Sequence, residues 1–353
     1  MSRSAVVPNR FLVALAALAL GVVLAAGVAG RERQAASYRS SELVMDTVVT
    51  VTVYGPKAKE NAEAALSEFR RIDALLSAYR TGSEVSRVND AAGRAPVKVS
   101  RETLALVQLS LRYAALSHGK FEPTIGPLVR LWGIGAGRTA PPSPAEIEAA
   151  RRLVDYRRVV IDEARRTIYL PLAGMKLDLG GVAKGYAAQK AGELLRRRGV
   201  KSALIDAGGN IVALGARPDG RRWRVAIRHP RQSDAVVGVL QVADQAVVTS
   251  GDYERFFMYR GRRYHHLLDP ATGYPADALQ SATVIFPSST VADLLSTSVF
   301  LLGPEEGPAL ARREGAGTVL VDSDGRVQVA SGLRSSFVPA DAPPGAAAGG
   351  DHS

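Results

Sequence analysis

The sequence predicts an α+β fold of mixed sheets with packed helices, preceded by one N-terminal apolar helix. Three observations predict it. Strand-like and helix-like runs intermix without the regular alternation of a doubly wound fold. Several strand-like runs are joined by short turn sequences, as in hairpins. Hydrophobic residues make up 46% of the 353 positions, enough for a sizeable core. No short-period repeat is present. The absence of cysteine excludes disulfides, thiolate metal sites and lipid attachment at a cysteine.

Three regions follow: residues 1–37 as a signal or anchor segment with its linker, residues 38–338 as the folded domain, and residues 339–353 as a disordered Pro-, Ala- and Gly-rich tail. Arg3 and Arg10 precede the uncharged run Phe11–Gly30, and Arg31 follows it. About 20 apolar residues span a bilayer as a helix. Two readings stay open: a signal peptide cut near Val28–Gly30, and an uncleaved inner-membrane anchor, which the length of the run favours. Both export the rest of the chain to the periplasmic side. Basic residues on both flanks leave the positive-inside rule undecided. The formal charge is +11. The arginines are scattered apart from Arg196–Arg198, and no aromatic-basic interleaving resembles an RNA-binding module, so no nucleic-acid partner is expected.

Residues 31–42 read as a polar linker, and Leu43–Gly55 as one strand of alternating, β-branched residues. Ala62, Leu66, Phe69, Ile72, Leu76 and Tyr79 recur at helical spacing. Arg80–Asn89 reads as a polar loop or short turn. A second helix starts at Ser100 with Leu104, Val107, Leu111 and Ala115 on one face, and Gly119 ends it. Ser143, Pro144 and Glu146 form an N-cap, first-turn proline and capping glutamate. The runs 158–162 and 167–171 read as a hairpin.

The stretch KLDLGGVAKGYA (176–187) reads as a strand end, a glycine turn and a helix running to about Arg198, with Gly199 at its C-cap. It fits neither common phosphate-loop pattern, yet a helix start exposes amides that attract anions. SALIDAGGNIVALG (202–215) reads as strand, turn, strand. RWRVAI and VLQVADQAVVTSG read as further strands, 291–302 as a helix, and 317–330 as a hairpin turning near Asp324–Gly325.

Five segments carry candidate chemistry. In KLDLGGVAKGYA, Asp178 and Lys184 flank Gly181, whose carbonyl is open to a ligand or cation. In YHHLLDPATGYP (264–275), His265 and His266 precede a strong turn sequence. Neighbouring strand residues face opposite ways, so one of the two faces a site and one does not. In VTSGDYERFF (248–257), Thr249, Ser250 and Gly251 are placed to contact phosphate. In VADLLSTSVFLLG (291–303), Asp293 and Thr297 share a helix face. An aspartate in an apolar helix needs a partner, and an oxygen-ligated Mg²⁺ or Ca²⁺ is one such partner. In HGKFEPTIGPLVRLWGIG (118–135), Phe121 and Trp132 are placed to wall a pocket for a flat ring. Each segment also has a plain reading as a turn, cap or packed loop.

Taken together and in order, MDTVVTV, LLSAYRTGSEVSRVN, GKFEPTIGPLVRLWGIG, KLDLGGVAKGYAA, ALIDAGGNIVALG, VVTSGDYERFF, YHHLLDPATGYP and ADLLSTSVFLLG resemble the ApbE family of FAD:protein FMN transferases, from about Met45 to about Gly303. The resemblance implies a two-lobed, T-fold-like catalytic domain. It also implies a reaction: FAD is the substrate, FMN passes to a threonine or serine hydroxyl of a target protein, and AMP leaves. Mg²⁺, or else Ca²⁺ or Mn²⁺, supports it. The implied partner is a flavin-accepting subunit of a membrane redox system, of the sodium-pumping quinone reductase, Rnf or nitrous oxide reductase maturation type.

The implied flavin contacts are Met45, Tyr79, Phe121, Glu122, Asp178, Lys184 and Leu267 or Leu268. The implied metal ligands are Gly181 through its carbonyl, Asp293 and Thr297. His266 is the candidate for proton transfer, with Asp293 as the other. This chain has Asp46 where the family has the glycine of M-G-T, and Glu122 where it has an aspartate. The family's lipoprotein cysteine is missing. Two related readings share these residues: an FAD pyrophosphatase giving FMN and AMP, and a non-catalytic flavin-binding assembly factor.

Overall fold

The structure, a computed structural model, describes residues 36–340. The apolar run 11–30 and nearly all of the proposed tail lie outside the described residues. Among those described, no helix is long and apolar enough to cross a membrane.

The frame is an eight-stranded antiparallel sheet. Its strands are β1 (Ser37–Val44), β2 (Thr47–Tyr54), β6 (Ser202–Ala207), β7 (Asn210–Leu214), β10 (Gln245–Gly251), β13 (Leu279–Phe286), β14 (Gly317–Asp322) and β15 (Val327–Val329), in that order across the sheet. Three small sheets attach: β3 (Val97–Lys98) with β5 (Thr167–Tyr169) and β4 (Val160–Asp162); β8 (Trp223–Arg228) with β9 (Val236–Val242) and β16 (Phe337–Pro339); and the hairpin β11 (Phe256–Tyr259) with β12 (Arg262–His265).

The helices are α1 (Ala58–Leu76), α2 (Glu84–Asp90), α3 (Arg101–Leu116), α4 (Gly126–Trp132), α5 (Pro144–Arg151), α6 (Ala183–Arg197) and α7 (Ser289–Arg313). One face of the large sheet meets α1, α6 and α7, and the other is partly covered by β8, β9 and β16. The helical-period residues of α1 do the expected work: Ala62, Leu66, Phe69, Ile72 and Leu76 are all buried. Each large apolar side chain so buried contributes about 1.5–3 kcal/mol.

Helix α7 is buried nearly all round from Ser289 to Gly303, as an interior helix must be. Its first part ends where the sequence reading placed it. Gly303, at φ 83° and ψ −172°, breaks the helix in a conformation open only to glycine, and Pro304 restarts it. The capping box at Ser143 and Glu146 is present on α5.

Four expectations are corrected. The run Leu43–Gly55 is not one strand. Met45 and Asp46 both sit at φ 56° and turn the chain, so Ser37–Glu42, expected as linker, belongs to β1. Alternation continues through this two-residue turn, so periodicity alone does not reveal it. The polar run at 80–89 contains α2, whose N-cap Ser83 accepts from the Ser86 amide at 2.9 Å and whose Val85 and Val88 are buried.

The run MKLDL is not a strand either; it makes a single bridge, Lys176 to Ile125. The buried Asn89 side chain takes the place of a strand partner. It donates to the Leu177 carbonyl at 2.8 Å and accepts from the Leu177 amide at 2.6 Å. Finally, Pro339, expected in the tail, closes β16.

Candidate functional site

Two hairpin turns and one strand end meet at one edge of the large sheet. The β1–β2 turn holds Met45 and Asp46, and the β6–β7 turn holds Gly208 and Gly209, at φ 61° and 93°. A Cβ on Gly208 would fall 2.1 Å from Thr47 Oγ1, so the two turns touch. The Thr249 amide donates to the Gly209 carbonyl at 3.3 Å, which brings in the end of β10. Asp46 stands where glycine is usual in the resembling family. Its left-handed φ explains both choices, because aspartate tolerates that region better than most residues. The Arg255 guanidinium donates to the Asp46 carbonyl at 3.3 Å.

Over this edge lies the first part of α7. Asp293 is only 4% exposed. Its Oδ2 accepts from the Gly185 amide at 2.8 Å, at the start of α6. Gly185 has no room for a side chain: a Cβ would lie 2.4 Å from the Ser289 carbonyl oxygen and 2.5 Å from Asp293 Cβ. That is the physical reason for the third glycine of KLDLGGVAKGYA. Burial raises the Asp293 carboxyl to about 6, opposed by Lys184, the Gly185 amide and the Asn210 side chain.

Thr297 sits one turn further along α7, with Oγ1 3.4 Å from Ser250 Oγ. A Cβ on Gly181 would stand 3.5 Å from that same Oγ1 and 3.1 Å from the Phe121 ring. Asp293 and Thr297, one turn apart on α7, and the Gly181 backbone beside Thr297 offer hard oxygen donors. Among the described residues, no group of three His, Cys, Asp or Glu could hold a metal ion. A cation here would meet one carboxylate and neutral oxygens, leaving positions for phosphate oxygens and water. That donor set fits Mg²⁺.

Asp178 closes the glycine turn by accepting from the Gly180 amide at 2.8 Å, and its other oxygen accepts from the Tyr79 hydroxyl at 2.9 Å. Tyr79 keeps 59% of its surface exposed while the Arg130 guanidinium lies 5.8 Å from its ring centroid. Its hydroxyl faces Asp178, and partial desolvation together with that carboxylate raises its pKa. Among the described residues, Lys184 makes no salt bridge.

The two histidines face opposite ways. His265 is buried, contacts the Ala276 carbonyl through Nε2 at 2.7 Å and meets Phe300 edge-on, so it packs. His266 retains an accessible edge although protein surrounds it closely. Its Nδ1 lies 3.4 Å from the Arg255 carbonyl. Burial, then the charges of Lys184 and Arg255, push its pKa down to about 3, so the ring is neutral near pH 7. A proton on Nδ1 leaves Nε2 to accept one.

Several assigned contacts lie deeper than the sequence suggests. Trp132 is fully buried, donates to the Gly273 carbonyl at 2.8 Å and stacks on Tyr264, so it supports the loop and walls no pocket. Leu267 packs in the main core and Leu268 beside Trp132, with 7% and 4% of their surface exposed. Both Glu122 oxygens are used locally, by the Thr124 amide and hydroxyl and by the Tyr156 amide. Glu122 thus shapes its loop. Phe121 is buried against Gly181, and Met45 packs partly buried against the core.

Sequence reasoning missed Arg130, Arg255, Asn210 and the role of Gly185. A glycine inside a helical run was the one available signal for Gly185; isolated arginines carry none.

The sequence model of the ApbE family matches residues 45–320. A FAD:protein FMN transferase of Treponema pallidum (strain Nichols) is 39% identical over 334 residues, 88% of this chain and 92% of its own length. One from Klebsiella pneumoniae (strain 342) is 37% identical over 307 residues, 86% of this chain and 95% of its own. The crystal structure of the ApbE protein of Thermotoga maritima superposes with a TM-score of 0.78 at 32% identity, covering 84% of this chain and 98% of that one. The flavin transferase ApbE of Vibrio cholerae superposes with a TM-score of 0.77 at 28% identity, covering 86% and 99%. Matched over most of its length by both sequence and fold, the chain belongs to the ApbE family.

Proposed function

We propose that this chain transfers FMN from FAD to a threonine or serine hydroxyl of a target protein, releasing AMP. The observation that carries the reading is the convergence of Asp293, Thr297 and Gly181 beside Lys184 and His266 at one edge of the sheet. In the reaction, the acceptor oxygen forms a bond to the FMN phosphorus. The bond from that phosphorus to the bridging oxygen breaks, and AMP leaves with the electron pair. Such a step depends on alignment and charge neutralisation.

Asp293, Thr297 and the Gly181 carbonyl would hold a divalent cation, preferably Mg²⁺, which supplies neutralisation of the pyrophosphate charge. Lys184 adds positive charge on the same side. His266, neutral at working pH, would accept the proton of the acceptor hydroxyl once the FAD phosphates offset the Lys184 and Arg255 charges that depress its pKa. Asp178 and Tyr79 form a hydrogen-bonded pair at the flavin side, with Arg130 and Arg255 around them. Closer burial of the site by substrate would strengthen each of these electrostatic contacts.

The proposal includes export. Residues 11–30 would direct the catalytic part to the periplasmic side, where the target is a subunit of a membrane redox system. Purified protein with FAD, Mg²⁺ and an acceptor subunit tests the activity: the acceptor gains the mass of FMN less one water, and AMP appears in equal amount. Free FMN formed at the full rate without acceptor would instead favour the pyrophosphatase reading. A reporter fused after residue 340 tests export, and a cytoplasmic reporter signal would contradict it.

A further inference from the structure

Asp293 and Thr297 hang from α7, but the side chains that face them come from the sheet. Asn210 opens β7 directly after the Gly208–Gly209 turn and is 1% exposed. Its Nδ2 is buried without a hydrogen-bond partner, and β7 packs against α7, the helix that carries Asp293. An unpaired buried amide costs about 1–3 kcal/mol. An aliphatic residue would avoid that cost, so the amide calls for a ligand-dependent partner.

Asn210 pairs with Val248 in the β7–β10 register, two residues before Ser250. Ser250 Oγ lies 2.9 Å from Ser296 Oγ and 3.4 Å from Thr297 Oγ1. The direction of this chain can be derived. Ser296 donates its proton to the Asp293 backbone carbonyl at 3.0 Å, and a carbonyl can only accept. Ser250 must then donate to Ser296, which leaves its lone pair for the Thr297 proton. Thr297 thereby turns its own lone pairs away from Ser250.

We propose that Asn210 and Ser250 are positioning residues. Asn210 sets the direction of the Asp293 carboxylate, and Ser250 sets that of the Thr297 hydroxyl, toward the same divalent cation. The inference rests on the cation reading given above. Groups that orient metal ligands without touching the metal set affinity by about 10–100-fold.

The test is a calorimetric titration of the full, FAD-free chain with Mn²⁺, for wild type, Asn210→Leu and Ser250→Ala, each paired with a melting curve in chelator. Each variant is expected to bind Mn²⁺ about tenfold or more weakly with a cooperative metal-free melt. Unchanged affinity in folded variants overturns the proposal, since a purely structural role moves the melting point alone. Should Asn210→Leu fail to fold, Ser250→Ala, which removes one oxygen and adds no bulk, decides the question. A wild-type chain that binds no Mn²⁺ overturns the cation reading and this inference together, and so is distinguishable from failure in the variants alone.

Discussion

Asp293→Asn separates the functional demand on this site from its cost to the fold. The carboxyl is 4% exposed, and burial lifts it from 3.8 to about 6. A raised pKa means that the folded state binds the proton more tightly than the unfolded state. The stability this supplies is fully present below the unfolded pKa and is lost as pH rises through the folded one. Between pH 4 and pH 7 the metal-free protein should therefore lose on the order of 3 kcal/mol from this group, at about 1.4 kcal/mol per pKa unit.

An asparagine keeps an oxygen for the Gly185 amide and carries no charge, so it escapes that loss. In chelator at pH 7.5, Asp293→Asn should melt several degrees above wild type, since ~1 kcal/mol moves the midpoint by roughly 2–4 °C or less in a chain of this size. At pH 4 the two curves should converge. Melting by circular dichroism at both pH values is the assay. An Asp293→Asn midpoint at or below wild type at pH 7.5 would refute the reasoning, because it would mean that the charged carboxylate is already well satisfied without a cation.

His266→Ala should lower the transfer rate by about 10²–10⁴-fold, the usual worth of a positioned base, with FAD binding by flavin fluorescence unchanged; a rate within a few-fold of wild type would remove its role. Gly185→Ala puts a methyl 2.4 Å from the Ser289 carbonyl oxygen and 2.5 Å from Asp293 Cβ. It should cost about 1–3 kcal/mol in denaturant unfolding and weaken Mn²⁺ binding, whereas a near-neutral result would show that α6 and α7 can part without consequence.

Much of the frame was legible because burial repeats with a period. The α1 face, the capped start of α5 and the paired runs of β6 with β7 and β14 with β15 follow from spacing and turn residues. What periodicity missed was set by side chains acting on backbone. Asn89 stands in for a strand partner at Leu177, and Met45 and Asp46 turn the chain without disturbing its alternation.

Within the site, Asp293 was legible as an acid in an apolar helix. His266 could not be told from His265 by composition, and only the fold shows which one packs on Phe300. Arg130, Arg255 and Asn210 reach the site from elements distant in sequence, so nothing local marks them. Trp132 shows the opposite failure: an aromatic among glycines suggests a pocket wall, yet it fills the core beneath the loop.

The central claim is that Asp293, Thr297 and the Gly181 carbonyl meet on one cation at the pyrophosphate. A crystal structure with FAD and Mn²⁺, the ion located by its anomalous signal, tests it most directly. The expected result is one ion held by these three oxygens beside the FAD phosphates, with His266 facing the FMN phosphorus. An ion bound elsewhere, or FAD seated with its pyrophosphate away from α7, would contradict it.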